Sequence, residues 1–352
     1  NVNALGIISE LTNTEISELG TTTFRLPYKP VTFGAIAGRH VKEFFDLERT
    51  SPMHQWHIDN KALFEDVGQW KRAWYYPQKN ESFQSALNRE VKATRDSLGI
   101  LDASTLGKID IKGRDVSEFL NRIYTNSWSK LEIGKCRYGV MLGDDGMVID
   151  DGVTTRLDEY HYLMSTTTGN AASVMSKLED WLQTEWPELE VYLTSVTENY
   201  GTISLNGPNS KNLMQKLVPD FDFSKENFPH MSFKNININR IKCRVMRISF
   251  TGEMCYEINV PSGYAKNLWE LCIDKGKEFN ITPYGTEAMH VLRAEKGFII
   301  VGQETDGSVT PVDLDMDWIV SKKKYDFIGK RALYRSDTIK KDRKQLVGLR
   351  TK

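Results

Sequence analysis

Two periodicities of apolar residues run along the chain, and together they predict a mixture of helices and strands. Apolar residues at helical spacing predict helices at 79–97, 116–124, 170–186, 210–217, 265–279 and 285–298. Alternating residues, or short apolar runs, predict strands at 108–113, 136–142, 148–157, 160–167, 202–206, 245–250 and 255–261. Short turns join consecutive strands. The pattern therefore predicts an α+β fold with mostly antiparallel sheets and flanking helices.

The composition is that of an ordinary globular protein, and it excludes several classes of function. The chain has 352 residues, 40% hydrophobic and 26% charged, with a formal net charge of −1. Its one short basic cluster, "SKKKYD" at 321–326, contains an aspartate, so we expect no nucleic-acid surface. No apolar run approaches the roughly 18 residues of a membrane span, so we expect no membrane partner.

Four cysteines without CxxC spacing indicate a reduced, cytoplasmic chain with no cysteine metal site. The six histidines are scattered and no HExxH motif is present, so we predict no metal site. The GxGxxG, GxxxxGK[ST] and GxSxG motifs are also missing, which argues against a dinucleotide site, a P-loop and a nucleophile elbow within this sequence.

The ends of the chain differ in character from its middle. Residues 1–50 are mixed, with Pro27 and a "GAIAG" run at 34–38, and are predicted to form an extended arm or linker. The chain begins on Asn1 rather than methionine and ends on "LVGLRTK", which alternates like a strand just begun. We therefore expect a piece of a longer polypeptide.

The stretch "GDDGMVIDDGV", residues 143–153, closes a short apolar strand on two acids, Asp150 and Asp151. Strand interiors disfavour aspartate, so the pair requires an explanation. One interpretation is structural, because adjacent acids often begin a turn. The other is functional: side chains alternate along a strand, so one acid faces inward and requires a cationic or weakly basic partner.

Two further motifs allow both a structural and a functional interpretation. Glu257 lies between Tyr256 and Ile258 on a predicted strand, either on a solvated face or positioned to pair with an amidine-like group. Arg293 lies near the end of a predicted helix, where it forms either a surface ion pair with Glu295 or part of a binding site.

Five motifs in order give the chain a family resemblance. They are "YGVMLGDDGMVIDDG", "FTGEMCYEINVP", "LRAEKG", "GQETDGSVTP" and "DFIGKRAL". Together they resemble the aminomethyltransferase (T-protein) family of the glycine cleavage system and its folate-binding relatives, over residues of about 52–335. "FEDVGQWKRAWYYP" and "GILDASTLGKIDIKG" are similar to one branch, the C-terminal folate domain of the heterotetrameric sarcosine oxidase α subunit.

The resemblance implies roles for five residues. The catalytic aspartate of the family matches Asp150, and the tyrosine that lines its folate pocket matches Tyr138. The glutamate that grips the pterin edge matches Glu257, and the arginine at the last helix matches Arg293. Many relatives have tyrosine where this chain has Phe250, so one hydrogen bond to folate is expected to be missing.

The resemblance also implies a domain organisation, a cofactor and partners. Residues 51–335 are expected to form the folate-binding domain, and 336–352 to begin a C-terminal β-barrel of which the rest is absent. Tetrahydrofolate is the implied cofactor of this chain, whereas FAD, FMN and NAD are expected in the rest of the complex, with other sarcosine oxidase subunits as partners.

Three functions remain open at this point. One is the capture, as 5,10-methylenetetrahydrofolate, of the one-carbon unit from sarcosine oxidation, with no oxidation by the isolated chain. The others are a stand-alone folate-dependent aminomethyltransferase or demethylase, and a non-enzymatic folate-fold module.

Overall fold

The computed structural model describes residues 4–19, 48–340 and 342–349. The chain divides into two compact units, residues 1–48 and 49–352. The described part of the first unit contains one helix, α1, at Ala4–Thr12. Pro27 and the run at 34–38, on which the predicted extended arm rested, lie outside the described residues.

The second unit alternates strands and helices. Its strands are β1 (Arg49–Thr50), β2 (Leu63–Val67), β3 (Trp70–Tyr75), β4 (Gly99–Asp102), β5 (Gly107–Lys112), β6 (Cys136–Leu142), β7 (Val148–Asp158), β8 (His161–Thr166), β9 (Tyr192–Ser195), β10 (Tyr200–Asn206), β11 (Phe233–Ile238), β12 (Ile241–Met246), β13 (Cys255–Pro261) and β14 (Thr282–Pro283). Its α-helices are α2 (His54–Asp59), α3 (Phe83–Asp96), α4 (Val116–Ile123), α5 (Ala171–Thr184), α6 (Ser210–Leu217), α7 (Ser262–Gly276) and α8 (Thr286–Ala294).

The strands form three sheets. The orders are β1-β3-β2, β11-β12-β13-β10-β4-β14 and β6-β7-β8-β5-β9. All pairings are antiparallel except β1 with β3 and β4 with β14. The predicted fold, mixed helices and mostly antiparallel sheets, is therefore confirmed, and no closed barrel is formed within residues 48–340 and 342–349.

Most predicted helices and strands form close to their expected positions. The strand predicted at 245–250 is wrong in position, because β12 spans Ile241–Met246 and an irregular segment follows it. Helix α3 begins after Ser82, whose hydroxyl accepts a hydrogen bond from the Ser85 amide and so caps the first turn. Asp115 and Asn170 stand at the starts of α4 and α5 without capping them through their side chains. The Asn170 amide instead donates to the Ile149 carbonyl, which ties α5 to β7.

The six-stranded and five-stranded sheets pack against each other through one hydrophobic cluster, and we call the region between them the cleft. The outer face of the five-stranded sheet packs on α4 and α5 through residues such as Ile109 and Ile111. On its inner face, Val153 and Leu163 join one hydrophobic cluster with Met246 of the six-stranded sheet. The opposite faces of both sheets pack on helices, and the faces toward the cleft carry polar residues such as Tyr138 and Glu257 beside that apolar cluster.

The C-terminal segment does not form the strand that its alternation suggested. Residues 342–349 are irregular. Arg343 forms an ion pair with Asp313 at 2.6 Å, and the Leu346 amide donates to the Asp313 carbonyl at 2.8 Å. An isolated strand with no paired neighbour has little to stabilise it, which accounts for the difference.

Within the ranges that the structure describes, no helix is long and apolar enough to cross a membrane. The same residues contain no cluster of histidine, cysteine and carboxylate side chains arranged to hold a metal ion. All four cysteines are buried and unpaired with one another.

Candidate functional site

The two acids of the pair lie on opposite faces of β7. In the β6–β7 register, Asp150 pairs with Met141 and Asp151 pairs with Val140. Met141 belongs to the core beneath α4 and α5, so Asp150 faces that core. Asp151 faces the other way, on the side of the cleft that also carries Tyr138.

Asp150 is a buried carboxyl group with polar but uncharged partners. Only 1% of it is exposed. Its Oδ1 accepts hydrogen bonds from the Thr167 hydroxyl and, at 3.3 Å, from the Asn170 amide, whereas Oδ2 has no partner among the described residues. Burial, reinforced by the charge of Asp151, raises the pKa of Asp150 to about 7.

Asp151 is held by Tyr138, the tyrosine that sequence motifs predicted for the pocket. The Tyr138 hydroxyl donates a 2.5 Å hydrogen bond to Asp151 Oδ2. Burial raises the pKa of Asp151 to about 6, although the Tyr138 bond opposes that rise. The structure thus joins Tyr138 to the second acid of the pair, while Asp150, the acid predicted from the motif, lies behind the sheet.

Glu257 lines the opposite wall of the cleft. On β13 it pairs with Ser204 of β10 and Met246 of β12, so it projects from the face that meets the five-stranded sheet. The one hydrogen bond that its carboxylate accepts within the described residues is a long one, 3.4 Å, from Asn259. Burial raises the pKa of Glu257, and the nearby positive charge of Lys108 acts against this rise.

Lys108 is a residue of the cleft that the sequence interpretation did not single out. It is 3% exposed, and its ammonium donates to the carbonyls of Ser104 and Leu106 at 3.0 and 2.9 Å. Burial lowers its pKa to about 8. The alternation in "KIDIK" carried the signal: Ile109 and Ile111 face the apolar core, so Lys108 must face the cleft.

The cleft therefore brings together a tyrosine, a carboxylate and a lysine of the five-stranded sheet with a carboxylate of the six-stranded sheet. Tyr138 pairs with Val153 in the β6–β7 register, and Val153 lies in the same hydrophobic cluster as Met246, the partner of Glu257. Tyr138, Asp151 and Glu257 thus all face the cleft. A half-buried acid on each wall can accept hydrogen bonds from one polar molecule between them.

Arg293, in the last turn of α8, and Phe250 each contact Phe298, which follows that helix. Arg293 is buried and donates to the Phe298 carbonyl at 2.9 Å and to Glu304 at 2.6 Å. The surface ion pair with Glu295 that the sequence allowed is therefore wrong. Phe250 is 39% exposed and stacks on Phe298, with ring centroids 6.3 Å apart.

The structure gives Arg293 no hydrogen bond to either acid of the pair within the described residues. Its guanidinium instead fixes the loop after α8 to the helix end. Two surface cavities, of about 970 and 490 Å³, lie elsewhere, and none of the five residues predicted for the site lines either one.

Comparison with known proteins identifies the family. The family model described as "GCVT N-terminal domain" matches residues 53–324, and the model "Sarcosine oxidase A3 domain" matches residues 1–39. A crystal structure of the glycine cleavage system aminomethyltransferase T from Bartonella henselae shares the fold, with a TM-score of 0.69 at 24% identity, covering 81% of this chain and 73% of that one.

Curated relatives fall into two groups. Sarcosine oxidase subunit alpha from Corynebacterium sp. (strain P-1) is 56% identical over 99% of this chain, and its counterpart from Rhizobium meliloti (strain 1021) is 42% identical over 99%. The chain spans only 36% of the length of each of these relatives. An aminomethyltransferase from Chlorobium phaeovibrioides is 30% identical, covering 81% of this chain and 74% of that protein. The chain therefore belongs to the aminomethyltransferase family.

Proposed function

We propose that this chain binds tetrahydrofolate in the cleft and, as part of a sarcosine oxidase α subunit, captures the one-carbon unit of sarcosine as 5,10-methylenetetrahydrofolate. The observation that carries the proposal is the position of Glu257 opposite the Tyr138–Asp151 pair. The similarity to sarcosine oxidase α subunits and to aminomethyltransferases supports it.

The residues of the cleft fit a reduced pterin. Glu257 is a poorly satisfied, half-buried carboxylate with one weak donor in Asn259. Such a carboxylate is matched by an N–C–N edge that presents two parallel N–H donors, which is the edge of a pterin ring. Glu257 would then fix the orientation of the ring, while Tyr138 forms part of the opposite wall.

Bound tetrahydrofolate supplies two nucleophilic nitrogens, N5 and N10, to the one-carbon unit. Asp151 is placed to act on the positive charge that develops there, because its carboxylate faces the cleft in a poorly hydrated environment. Tyr138 holds Oδ2 of that carboxylate, leaving Oδ1 to accept a proton. We favour Asp151 over Asp150 for this role, since Asp150 points into the core.

The sarcosine oxidase context extends the proposal to the whole protein. In it, residues 51–335 form the folate-binding domain of a cytoplasmic complex. The oxidation itself, with FAD, FMN and NAD, is assigned to other parts of the complex and its other subunits. This chain then receives a one-carbon unit that it does not itself generate.

A second candidate is a stand-alone folate-dependent aminomethyltransferase or demethylase. The observation that favours it is the Chlorobium phaeovibrioides relative, in which the match extends over 74% of a protein named for that activity. Genes for flavoprotein subunits beside the coding sequence support the first candidate, and a gene for a lipoyl carrier protein supports the second.

Both candidate functions require that the chain binds tetrahydrofolate, and a calorimetric titration of the purified chain tests this. We expect one saturable site, weakened in the Glu257→Ala variant. If no saturable heat is observed, the proposal is wrong.

A further inference from the structure

A cavity of about 490 Å³ lies apart from the cleft residues Tyr138, Asp151 and Glu257. It is bordered by the segment after β1, the residues after β4, the short 3₁₀-helix before β10 and the start of α7. Its lining residues are Thr50, Ser51, Pro52, Trp70, Ser104, Thr197, Glu198, Tyr200, Ser262, Gly263 and Lys266. A volume of this size is in the range of small-molecule sites.

Two buried serine hydroxyls on the wall of this cavity, those of Ser51 and Ser104, already donate their hydrogen bonds to a carboxylate. The Ser51 hydroxyl donates to Asp102 Oδ2, and the Ser104 hydroxyl donates to Asp102 Oδ1 at 2.6 Å. The Ser51 oxygen also accepts a hydrogen bond from the Met53 amide at 3.3 Å, and the Ser104 oxygen accepts one from the Thr202 amide at 2.9 Å. A hydroxyl oxygen has two lone pairs, so each retains one with which to accept a further hydrogen bond.

The carboxylate behind these hydroxyls is negatively charged. Asp102 accepts a 2.9 Å hydrogen bond from His57 Nε2, whose Nδ1 is in turn bonded to the Tyr76 hydroxyl at 2.9 Å. Burial acts to raise the pKa of Asp102, but the bonds from His57, Ser104 and Ser51 outweigh it and hold the pKa at about 2. Because the imidazole contacts the carboxylate rather than a hydroxyl, it cannot activate Ser51 as a nucleophile. The two serine oxygens on this wall can therefore accept hydrogen bonds from a ligand N–H donor, such as an ammonium group.

A cation with no partner lies on another wall of the cavity. The Lys266 ammonium forms no ion pair or hydrogen bond within the part of the chain that the structure describes. The acid of the lining, Glu198, is paired with Arg49, whose guanidinium also lies 4.2 Å from the Trp70 ring centroid. An anionic group in the cavity would therefore meet Lys266 without competition from Glu198.

From these two walls we propose that the cavity binds the zwitterion of an α-amino acid. The ligand ammonium group donates to the Ser51 and Ser104 oxygens in front of Asp102, and its carboxylate pairs with Lys266. Trp70, Tyr200 and Pro52 offer the surface for an apolar side chain. Tyr138, Asp151 and Glu257 do not line this cavity, although Lys108 of the cleft bonds to the Ser104 carbonyl beside it. The proposal does not depend on folate binding.

Three probes with the same side chain test the requirement for both charges. L-Leucine, N-acetyl-L-leucine and L-leucinamide are titrated into the chain, with calorimetry and the fluorescence of the tryptophans, which include Trp70 of the lining, as readouts. The zwitterion is expected to bind, and each capped form to bind about tenfold or more weakly, as follows from losing one charge-assisted hydrogen bond. No saturable binding of leucine, or equal binding of all three, overturns the proposal.

A pair of lysine variants locates the carboxylate. Lys266→Met is expected to weaken leucine binding about tenfold while leaving the weak binding of leucinamide unchanged. Lys275→Met, on the same helix but outside the lining, is the matched control and is expected to bind like the parent chain. Equal loss in both variants, or no loss in Lys266→Met, contradicts the assignment. Far-ultraviolet circular dichroism of both variants confirms that the helix is retained.

Discussion

The Tyr138 hydroxyl donates a 2.5 Å hydrogen bond to Asp151, and not to the adjacent Asp150. Tyr138 pairs with Val153 across the β6–β7 hairpin, which places it diagonally beside Asp151 on the same face. Asp150 projects to the opposite face and bonds to Thr167 and Asn170. Two neighbouring acids thus have different environments, and the predictions below separate their roles.

Replacing Glu257 with alanine should weaken tetrahydrofolate binding. The expected loss is roughly 1.5–3 kcal/mol, the range for a hydrogen bond to a charged group. The affinity of Glu257→Gln for tetrahydrofolate should lie between those of the parent chain and Glu257→Ala, since the glutamine amide oxygen still accepts a hydrogen bond but carries no charge. Calorimetry measures all three dissociation constants, with the exposed Glu270→Ala as control. An unchanged dissociation constant in Glu257→Ala would remove Glu257 from the pocket.

Asp151→Asn should depress the formation of 5,10-methylenetetrahydrofolate much more than Asp150→Asn does. A carboxylate that takes part in proton transfer contributes about 10²- to 10⁴-fold to the rate, and we expect a loss in that range for Asp151→Asn. The initial rate is measured in the complete enzyme that contains this chain, together with folate affinity, which should change little. A larger loss of rate in Asp150→Asn than in Asp151→Asn would assign the catalytic role to Asp150, the residue that the motif suggested.

The free energy of unfolding should fall with rising pH through the titration of Asp150. Its pKa in the folded protein, about 7, lies above its ordinary value of 3.8 because of burial. The folded state therefore binds a proton that the unfolded chain releases, so this contribution is fully present below about pH 4 and is lost as the pH rises through about 7.

Urea denaturation of the parent chain and Asp150→Asn at about pH 5 and pH 8 measures this effect. The variant cannot titrate at this position, so its stability should decline less between the two pH values. Parallel declines would mean that Asp150 is ionised in the folded protein at both.

Arg293→Ala should destabilise the loop after α8. The guanidinium bonds to Phe298 and Glu304, and the loss of one partner of a buried ion pair costs about 3 kcal/mol or more. Denaturant unfolding measures the change, and Arg335→Ala, an exposed arginine, is the control. If Arg293 contacts folate as well, Glu304→Ala, which removes only the structural partner, should affect folate binding less.

The chain by itself should neither oxidise sarcosine nor carry a flavin. No GxGxxG motif is present in its sequence, and the proposed function assigns the oxidation to other parts of the complex. Absorbance spectra and an oxygen-consumption assay test this. A stoichiometric flavin band in the purified chain would contradict it.

Local patterns along the chain were sufficient to predict most of the secondary structure and the family. Helical spacing in 79–97 and alternation in 160–167 were enough to predict α3 and β8, because each element buries one face of regular period. Five ordered motifs were enough to indicate the aminomethyltransferase family, since turns, strands and loops around one pocket constrain residue types at many positions together.

Which side chains meet, by contrast, depends on long-range packing. Alternation required Asp150 and Asp151 to face opposite ways, but the sheet that covers each face follows from long-range packing, which no local pattern specifies. The same holds for Arg293, whose partner Glu304 rather than Glu295 is set by the path of the loop. Ser51 and Asp102 are a further example, since they are 51 residues apart in the sequence. They meet beside the cavity of about 490 Å³ only because the chain folds back between β1 and β4.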